Sequence, residues 1–411
     1  MGGTLTPGNR PCVVLGADPL LQPSTGIGNY TRSLARSLLE LQLVSELSYY
    51  FNGVVVTGDS LSSRFAPPAD SIGINNAARY GASRLRLLAS VRDFLASKSW
   101  AAKAYEVLMP VVDRARLYPY RNFVFHSPNY LLPAFLGPTV ATFHDLSIQR
   151  YPNFHPKARV QLLHKGMAEA ARRASHIITD SALVRREVID YYNLKPGQVT
   201  AIPLAADDRF RPRSADECSA VLRPLGLEYR GFLLFSGSVE PRKNIQRICT
   251  AYRDLRNSGK LAWPIIFVGG KGWRSTAEHE DIEELISRGW AQYLGLVDDS
   301  VLATLYSAAR MLVFPSIYEG FGLPALEAQQ SNTPVLTSKG STMAEFASHQ
   351  DVLVDALDTG AIRDGIEQLM MRESSIHNDV TTTLLPRPAD KLSWANTARQ
   401  TVAVYQRIQL S

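Results

Sequence analysis

The segment that decides the fold reads S-I-Y-E-G-F-G-L-P-A-L-E and runs from residue 316 to 327. The apolar run before it, Met311–Phe314, is typical of a buried parallel strand. The glycines of the segment give the backbone the freedom for a turn, and Pro324 suits the first position of a helix. The segment therefore predicts a strand, a turn and a helix. Glu319 lies at the carboxyl end of the strand, and Glu327 lies about one turn inside the helix.

Two carboxylates and three amide groups meet at this predicted turn. The amides of Phe321, Gly322 and Leu323 lie where a helix begins, so they can bind an anion. Glu319 and Glu327 can accept hydrogen bonds from hydroxyl groups. These groups together predict a site for a sugar nucleotide. We prefer this interpretation to one in which both glutamates only offset the helix dipole, because Glu319 lies at the strand end.

Composition predicts a protein of two α/β domains. The chain has 411 residues, 45% hydrophobic and 20% charged, as in soluble globular proteins. No apolar run approaches the roughly 18 residues that cross a bilayer. The first ten residues lack the basic and apolar pattern of a signal peptide, and three scattered cysteines have no metal-like spacing. A cytoplasmic protein is expected.

The positive charge is unevenly distributed. Residues 1–210 hold 23 Lys and Arg against 15 Asp and Glu, a net +8, whereas residues 211–411 hold 21 against 23, a net −2. Much of the excess lies in residues 79–121, together with apolar residues at helical spacing. This stretch fits either an anionic membrane surface or an amphipathic helix packed on its own domain, and both remain open. Nucleic-acid binding is less favoured, because no recognised motif accompanies the charge.

Short apolar segments alternate with helical patterns along the chain, which predicts parallel sheets covered by helices. The predicted strands are 12–16, 54–56, 123–125, 139–143, 176–179, 232–235, 264–268, 293–294, 311–314 and 334–336. The pattern pauses near residue 210, where we place a domain boundary. Residues 373–390 are predicted to be a loop.

A second segment, S-G-S-V-E-P-R-K-N at residues 236–244, carries cations at a predicted helix start. Arg242 and Lys243 oppose the helix dipole there, which is unfavourable unless an anion binds. Transfer of a glycosyl group from a nucleotide diphosphate requires stabilisation of the leaving pyrophosphate. Cations and helix amides can do this without a metal, and the chain has no Asp-x-Asp triplet to carry one.

Polar residues also follow strands in the first half. His144 and Asp145 follow the predicted strand 139–143, at the carboxyl end where α/β sheets place ligands. Asp145 is expected to orient its loop or contact an acceptor, and His126 is a second strand-end histidine and a candidate acceptor-side group. Gly26 and Gly28 form a G-x-G turn, which is weak support alone.

The spacing of Glu319 and Glu327 resembles the E-x7-E signature of family 4 retaining glycosyltransferases. Residues 240–244 resemble the E-P-R-K-N loop of the same family, and residues 26–31 resemble its glycine-rich loop. The resemblance implies a GT-B fold, in which two doubly wound Rossmann-like domains face each other across a cleft. It implies an acceptor-side domain at 1–210, a nucleotide-sugar domain at 211–393, and a last helix within 394–411 that crosses back to the first domain.

The resemblance also implies roles for individual residues. Lys243, with Arg242, would contact the donor diphosphate, His144 the donor sugar, Glu319 the sugar hydroxyls and Glu327 the ribose. The catalytic set would be Glu319, His144, Lys243 and Arg242; the donor-binding set Gly26, Gly28, Ser238, Phe321, Gly322, Leu323 and Glu327; and the acceptor side His126 and Asp145. Neither a metal nor a cofactor is expected.

Three positions depart from the family pattern. Ser238 stands where the family usually has a second cation, so Arg242 or the serine hydroxyl would have to complete the phosphate site. Residues 328–332 replace a small segment that commonly ends in glycine. Residues 343–345 stand where a Pro-Glu pair is frequent. The last two departures bear on packing or nucleotide fit.

The loops at 126–130, 142–146 and 236–244 together look like those of bacterial mannosyltransferases that build O-antigen polysaccharides. This resemblance implies GDP-mannose or GDP-rhamnose as donor and a lipid-linked oligosaccharide as acceptor, at the inner face of the cytoplasmic membrane. The alternatives are a family 4 enzyme that uses a UDP-sugar, and a non-catalytic GT-B binding protein. An epimerase or phosphorylase shows no matching motif, and a dinucleotide oxidoreductase is excluded because no strand leads into G-x-G-x-x-G with an acidic partner.

Overall fold

Strands and helices alternate along most of the chain, and the computed structural model describes residues 10–21, 26–51, 53–57, 99–376 and 388–410. Within these ranges the strands form two separate sheets. The prediction of two doubly wound sheets is therefore confirmed.

The first sheet has the strand order β3-β2-β1-β4-β5-β6-β7 in the described part of the chain, and β3 pairs antiparallel with β2. Its strands are β1 Cys12–Gly16, β2 Glu46–Phe51, β3 Val54–Thr57, β4 Val124–Ser127, β5 Thr139–Phe143, β6 His176–Thr179 and β7 Val199–Ala201. The strand order reverses between β1 and β4, so the carboxyl ends of these two strands flank a switch point, where such sheets bind ligands.

The second sheet is parallel throughout its described strands, in the order β10-β9-β8-β11-β12-β13. Its strands are β8 Leu233–Ser236, β9 Ile265–Val268, β10 Ala291–Gly295, β11 Met311–Phe314, β12 Val335–Ser338 and β13 Val352–Val354. Its switch point lies between β8 and β11. The loops that leave these two strands are the two segments that the sequence predicts to bind the donor.

Helices follow most of the strands and bury them. They are α1 Gly26–Glu40, α2 Ser99–Leu117, α3 Ser147–Arg150, α4 Lys157–Arg173, α5 Ala182–Tyr192, α6 Ala215–Leu225, α7 Ile245–Asn257, α8 Thr276–Ser287, α9 Asp299–Ala308, α10 Leu323–Gln330, α11 Thr359–Ile376 and α12 Trp394–Gln409. Every residue of β5, β8, β9 and β11 is buried, as expected for parallel strands covered on both faces. No helix in the described ranges is long and apolar enough to cross a membrane.

Some element assignments from the sequence are wrong. The second strand is Glu46–Phe51, and the predicted strand at 54–56 is its antiparallel edge partner. Strands β7 and β13 were not predicted, because each has three residues and too little periodicity to recognise. Helix α11 continues to Ile376 inside the predicted loop at 373–390, and residues 377–387 lie outside the described residues.

The last helix lies against the first sheet. Helix α12 packs on α1, and its Tyr405 hydroxyl lies 2.6 Å from Nδ1 of His126 in β4. Near its start, the Thr397 hydroxyl donates to the Pro203 carbonyl at 2.8 Å. The boundary placed near residue 210 falls between the end of β7 at Ala201 and the start of β8 at Leu233.

Candidate active site

The switch point of the second sheet brings together a carboxylate and two cations. Lys243 Nζ donates to Glu319 Oε1 at 2.6 Å, and Arg242 Nη1 donates to Glu319 Oε2 at 2.8 Å. Arg242 also pairs with Glu240 at 2.8 Å. The Lys243 ammonium lies 4.8 Å from the centre of the Phe314 ring at the end of β11. The loops after β8 and β11 are thus joined side chain to side chain, 76 residues apart in sequence.

The local backbone explains how the cations reach this point. Pro241–Lys243 form one turn of 3-10 helix, and Asn244 then adopts a left-handed conformation with φ of 65° before α7 begins. The Asn244 side-chain amide donates to the carbonyls of Pro315 at 2.9 Å and Ala356 at 2.6 Å. Because asparagine tolerates this conformation and supplies the donors, the turn stays fixed against the loop that carries Glu319.

Burial and charge set the ionisation of this cluster. Burial alone would raise the pKa of Glu319, but the charges of Arg242 and Lys243 lower it to about 2. Burial and the neighbouring Arg242 charge lower the pKa of Lys243. Glu319 is therefore an ionised hydrogen-bond acceptor at neutral pH. A carboxylate with such a low pKa is a weak general base.

Two glycines allow the loop after β11 to approach its neighbours. A side chain at Gly320 would come within 2.0 Å of the His144 carbonyl oxygen, so only glycine lets this loop contact the end of β5 in the first domain. Gly322 has φ of 97° and lies against Met343, where a Cβ atom would be 2.3 Å from Met343 Cγ. This close approach places Glu319 at the boundary between the two domains.

The amides that the sequence predicts to hold an anion have no acceptors in the described part of the chain. Phe321, Gly322 and Leu323 precede or begin α10, and their amide groups donate to none of the described residues. Free amides at a helix start favour a bound anion. They lie in the same loop as Glu319, whose carboxylate pairs with Lys243.

His144 is buried, and its side chain is engaged within the first domain. Nδ1 lies 2.7 Å from Asp180 Oδ2, and Nε2 lies 2.7 Å from the Pro128 carbonyl oxygen. Burial opposes protonation, but the Asp180 carboxylate raises the pKa of His144. Both neighbours are acceptors, so each ring nitrogen carries a proton. The backbone of His144 reaches the loop of Glu319, but a contact from its ring to a donor sugar would have to replace one of these bonds.

The structure does not bring the His126 side chain to the cleft. His126 has 0% exposure, its Nδ1 lies beside Tyr405, and its Nε2 lies 2.8 Å from the Thr142 hydroxyl. Burial lowers the pKa of His126 to about 3, so the ring is neutral. The acceptor-side assignment is therefore not supported, because this histidine fastens α12 to the first sheet.

The other sequence-predicted residues lie around this centre. Gly26 and Gly28 form the first turn of α1, and Tyr30 of the same helix packs edge-on against the His144 ring at 5.0 Å. Asp145 Oδ1 accepts from the Ser147 amide at 2.8 Å and so orients the turn after β5. Ser238 is exposed in the loop after β8.

Several hydrogen bonds tie the loop of Glu319 to the first domain. The Tyr318 hydroxyl donates to Glu187 Oε2 at 2.6 Å and accepts from the Leu146 amide at 3.0 Å. The Ser181 hydroxyl donates to the Gly320 carbonyl at 3.1 Å. Glu345, at one of the departures from the family pattern, accepts from the first two amides of α5 at 3.0 and 2.7 Å. These contacts hold the two domains together on either side of Glu319.

Glu327 lines a cavity of about 390 Å³ between the domains. A cavity of this size can hold a nucleoside. Its walls come from α1, the segment around residues 205–210, and the starts of α9, α10 and α12. They include Arg32, Arg36, Asp207, Arg209, Phe210, Asp299, Leu302, Leu323, Glu327 and Trp394, but not Arg242, Lys243 or Glu319.

The environment of Glu327 differs from that of Glu319. Burial raises the pKa of Glu327 to about 7, the nearby Asp299 charge adds to the rise, and Arg209 opposes it. Arg209 itself forms ion pairs with Asp207 and Asp299. The two glutamates of the motif therefore titrate in separate ranges, one near pH 2 and the other near neutrality.

We expect the binding of a nucleoside diphosphate to depend on pH through Glu327. Hydrogen bonds from ribose hydroxyls favour the carboxylate, so Glu327 should make the dissociation constant rise as pH falls from about 8 to about 6, by up to about tenfold per unit. Because the folded pKa lies above the usual 4.5, the free energy of unfolding should decrease as pH rises from 4.5 towards 7. Calorimetry of wild type and Glu327→Gln tests both effects. The terminal phosphate of the nucleotide also ionises at about pH 6, so the test is the difference between the two proteins, and an equal change of affinity with pH in both would contradict the assignment.

Sequence reasoning missed several residues of this region. Asp180 follows β6, whose register pairs Thr179 with Phe143, so the strand order alone brings it beside His144. The only local signal for Asp180 was its position, as a carboxylate directly after a predicted strand.

Among the described residues, no three His, Cys, Asp or Glu side chains come together as metal ligands.

Comparisons with known proteins identify the family of this chain. The model of the family "Glycosyltransferase Family 4" matches residues 83–210, and that of "Glycosyl transferases group 1" matches residues 224–380. The chain is 33% identical over 394 residues to O-antigen chain mannosyltransferase B of Escherichia coli. This alignment covers 96% of this chain and 99% of that protein. It is 26% identical to the serotype-specific mannosyltransferase WbdA of Escherichia coli over 93% of this chain and 46% of that protein.

The solved structure of sucrose-phosphate synthase from Thermosynechococcus elongatus shares the fold. It aligns with a TM-score of 0.58 at 21% identity, over 98% of this chain and 97% of that one. The full-length identity to a mannosyltransferase, the two family models and the two facing Rossmann-like sheets lead to one conclusion. The chain belongs to glycosyltransferase family 4 and has the GT-B fold.

Proposed function

We propose that this glycosyltransferase moves mannose, or a related deoxyhexose, from a GDP-sugar to a lipid-linked oligosaccharide during synthesis of an O-antigen type polysaccharide. The observation that carries the proposed chemistry is the pairing of Arg242 and Lys243 with Glu319 at the switch point of the second sheet. The 33% identity to an O-antigen chain mannosyltransferase over 96% of the chain supports mannose as the sugar.

The cluster suits the charge changes of glycosyl transfer. Departure of the diphosphate concentrates negative charge on its oxygens, which Lys243, Arg242 and the free amides of residues 321–323 can stabilise. The sugar becomes positively charged at the same time, and the Glu319 carboxylate can accept its hydroxyl hydrogen bonds. These cations and amides can contact the diphosphate oxygens directly, so we propose a metal-independent reaction.

Retention of the anomeric configuration is part of the proposal. Glu319 has a pKa of about 2 and two cationic partners, which makes it a weak nucleophile and a weak base. We therefore favour a same-face substitution, in which the acceptor oxygen bonds to the sugar as the diphosphate leaves. The leaving phosphate oxygen then takes the proton of the acceptor.

The cavity beside Glu327 supports a guanine nucleotide. A ribose held by Glu327 would place its base among Phe210, Leu302 and Asp299. Guanine presents two adjacent N–H donors, which match the two oxygens of a carboxylate such as Asp299. Uracil has one N–H donor between two carbonyl acceptors and would lose this match. Arg209 can remain paired with Asp207 when Asp299 contacts the base.

A donor screen tests the proposal. Purified enzyme is incubated with GDP-, UDP- and TDP-sugars and a mannose-terminated oligosaccharide on an alkyl diphosphate, and released nucleotide and product are measured. We expect GDP-mannose or GDP-rhamnose to be used and Asp299→Asn to reduce the preference for GDP. Preference for a UDP-sugar would replace the donor assignment. Binding of nucleotide without release or transfer would favour the non-catalytic binding protein.

The same screen in excess EDTA tests metal independence. We expect turnover to be unchanged, because protein cations and amides stabilise the leaving group. Loss of activity on chelation, with recovery when manganese is added, would contradict the metal-free reaction.

The exposed surface of helix α2 supports attachment of the protein to anionic lipids at the inner face of the cytoplasmic membrane. Leu108 and Val111 are 61% and 66% exposed, Arg114 and Arg116 of the same helix are exposed, and exposed Arg121 follows shortly after the helix ends. Exposed apolar and basic residues on one helix suit a surface of anionic lipid. The rest of the basic segment at 79–98 lies outside the described residues.

We expect the protein to float with anionic vesicles at low salt and to be released at high salt. The Debye length falls from about 10 Å at 0.1 M to about 3 Å at 1 M, which screens the basic surface. Leu108→Glu with Val111→Glu should abolish flotation, whereas Leu162→Glu, on the exposed side of α4, should not. Equal flotation of wild type, the double variant in α2 and Leu162→Glu would exclude α2 as the membrane-binding surface.

A further inference from the structure

His155 is a buried histidine whose ring has no hydrogen-bond partner in the described part of the chain. It is 5% exposed, and both Nδ1 and Nε2 are buried without a partner there. Burying polar atoms without hydrogen bonds is costly, and native proteins rarely leave both nitrogens of an imidazole in that state. We therefore expect the two ring nitrogens of His155 to hydrogen-bond a ligand when one binds at this site.

His155 lies where the two domains meet. It follows the turn Pro152–Phe154 after α3, and Arg274 of the second domain donates to the carbonyls of Asn153 at 2.9 Å and His155 at 3.3 Å. The Trp273 ring lies 6.5 Å from the imidazole, and the Arg159 guanidinium lies 4.8 Å over that indole. Both domains thus contribute groups around this histidine.

Charged side chains of the reacting centre affect the pKa of His155, so this histidine lies near that centre. They are Asp145 and Arg159 of the first domain and Arg242 and Glu240 of the second. Two are positive and two are negative, and the Arg274 guanidinium at the His155 carbonyl adds one more positive charge. The donor phosphates have their own cations and amides at Lys243 and residues 321–323, so we assign His155 to a different ligand.

The imidazole has the hydrogen-bonding capacity that a sugar hydroxyl needs. Burial lowers the pKa of His155, so the ring is neutral at physiological pH. A neutral imidazole donates from one nitrogen and accepts at the other, and a hydroxyl likewise donates and accepts. Trp273 beside it supplies an aromatic surface, 39% exposed, for the apolar face of a sugar ring.

We propose that His155 binds a hydroxyl group of the acceptor sugar where the two domains meet, beside Trp273 and Arg274. This assignment rests on the proposed function, since it requires an oligosaccharide acceptor. The donor already has partners for its diphosphate at Lys243 and for its ribose at Glu327. His155 thus determines acceptor recognition and not donor binding.

Replacement of His155 by phenylalanine and by glutamine tests the proposal. Phenylalanine keeps the ring volume and removes both unpartnered nitrogens, so His155→Phe should melt no lower than wild type and should raise the acceptor KM about tenfold or more. Glutamine keeps a donor and an acceptor, so His155→Gln should recover part of this loss. The dissociation constant for GDP and the KM for GDP-mannose should stay within about twofold in both.

The measurements use steady-state kinetics with a panel of alkyl-diphosphate oligosaccharides ending in mannose, galactose or N-acetylglucosamine, and thermal unfolding of each variant. His164→Phe, at an exposed histidine of α4, is the matched control and should behave as wild type. An unchanged acceptor KM in His155→Phe, or parallel losses of melting temperature, GDP affinity and acceptor KM, would overturn the assignment. If wild type transfers to no acceptor of the panel but releases nucleotide, the proposed acceptor fails, and this inference fails with it.

Discussion

Replacing Lys243 with alanine is expected to lower kcat by roughly two to three orders of magnitude, the loss seen when one stabilising contact to a developing anion is removed. Lys243 is buried, 2.6 Å from Glu319, and no other lysine lies in the described switch-point loops. In the proposed reaction its positive charge would stabilise the negative charge that grows on the leaving diphosphate. Lys243→Arg should retain more turnover than Lys243→Ala, because it preserves the positive charge.

Kinetics and unfolding together decide whether this loss comes from chemistry. Lys243→Ala leaves Glu319 paired with Arg242 alone, so its melting temperature must be compared with that of wild type. Lys339→Ala, an exposed lysine after β12, is the control and should retain full turnover. Near-wild-type kcat in Lys243→Ala would remove this lysine from the site.

We expect Glu319→Gln to reduce kcat strongly and to destabilise the protein. The amide keeps the shape of the side chain but lacks the charge that faces Arg242 and Lys243 and that would face the positive sugar in the proposed reaction. A folded pKa of about 2 against the usual 4.5 corresponds to about 3 kcal/mol of stability at neutral pH. Because the folded pKa is depressed, this contribution is present above pH 4.5 and is lost as pH falls towards 2.

Unfolding of Glu319→Gln and wild type between about pH 7 and pH 3 measures this contribution. The difference in the free energy of unfolding should be largest at neutral pH and should shrink in acid. Glu280→Gln, an exposed glutamate of α8, should show neither the kinetic nor the stability loss. A difference that grows in acid, or full turnover in Glu319→Gln, would contradict the role of this carboxylate.

The site residues that could be predicted are those that a local sequence pattern indicates. Arg242, Lys243 and Glu319 each follow an apolar strand, and strand order places the ends of β8 and β11 side by side. Polar residues after adjacent parallel strands must then meet. The contact between these side chains follows from that topology, although their roles in catalysis stay predictions.

The parts that were not predictable depend on the direction of a side chain or on the other domain. His126 was recognised as a polar residue of a strand, but it points towards α12, which lies 279 residues later in the sequence. His144 was expected in the cleft, and its ring instead meets Asp180 and Pro128. Tyr318 contacts Glu187 and His155 meets groups of both domains, and no local pattern indicates such pairs.

The bonds from Tyr318, Gly320 and Glu345 to the first domain have a consequence for the catalytic cycle. In the proposed reaction the loop after β11 would hold the donor, and it also fastens the domains, so release of the spent nucleotide would be coupled to breakage of these bonds. Opening of the enzyme and departure of product would then be a single event. The first turnover would finish before this event and each later turnover would wait for it, so the strength of a few bonds between domains would set the turnover rate.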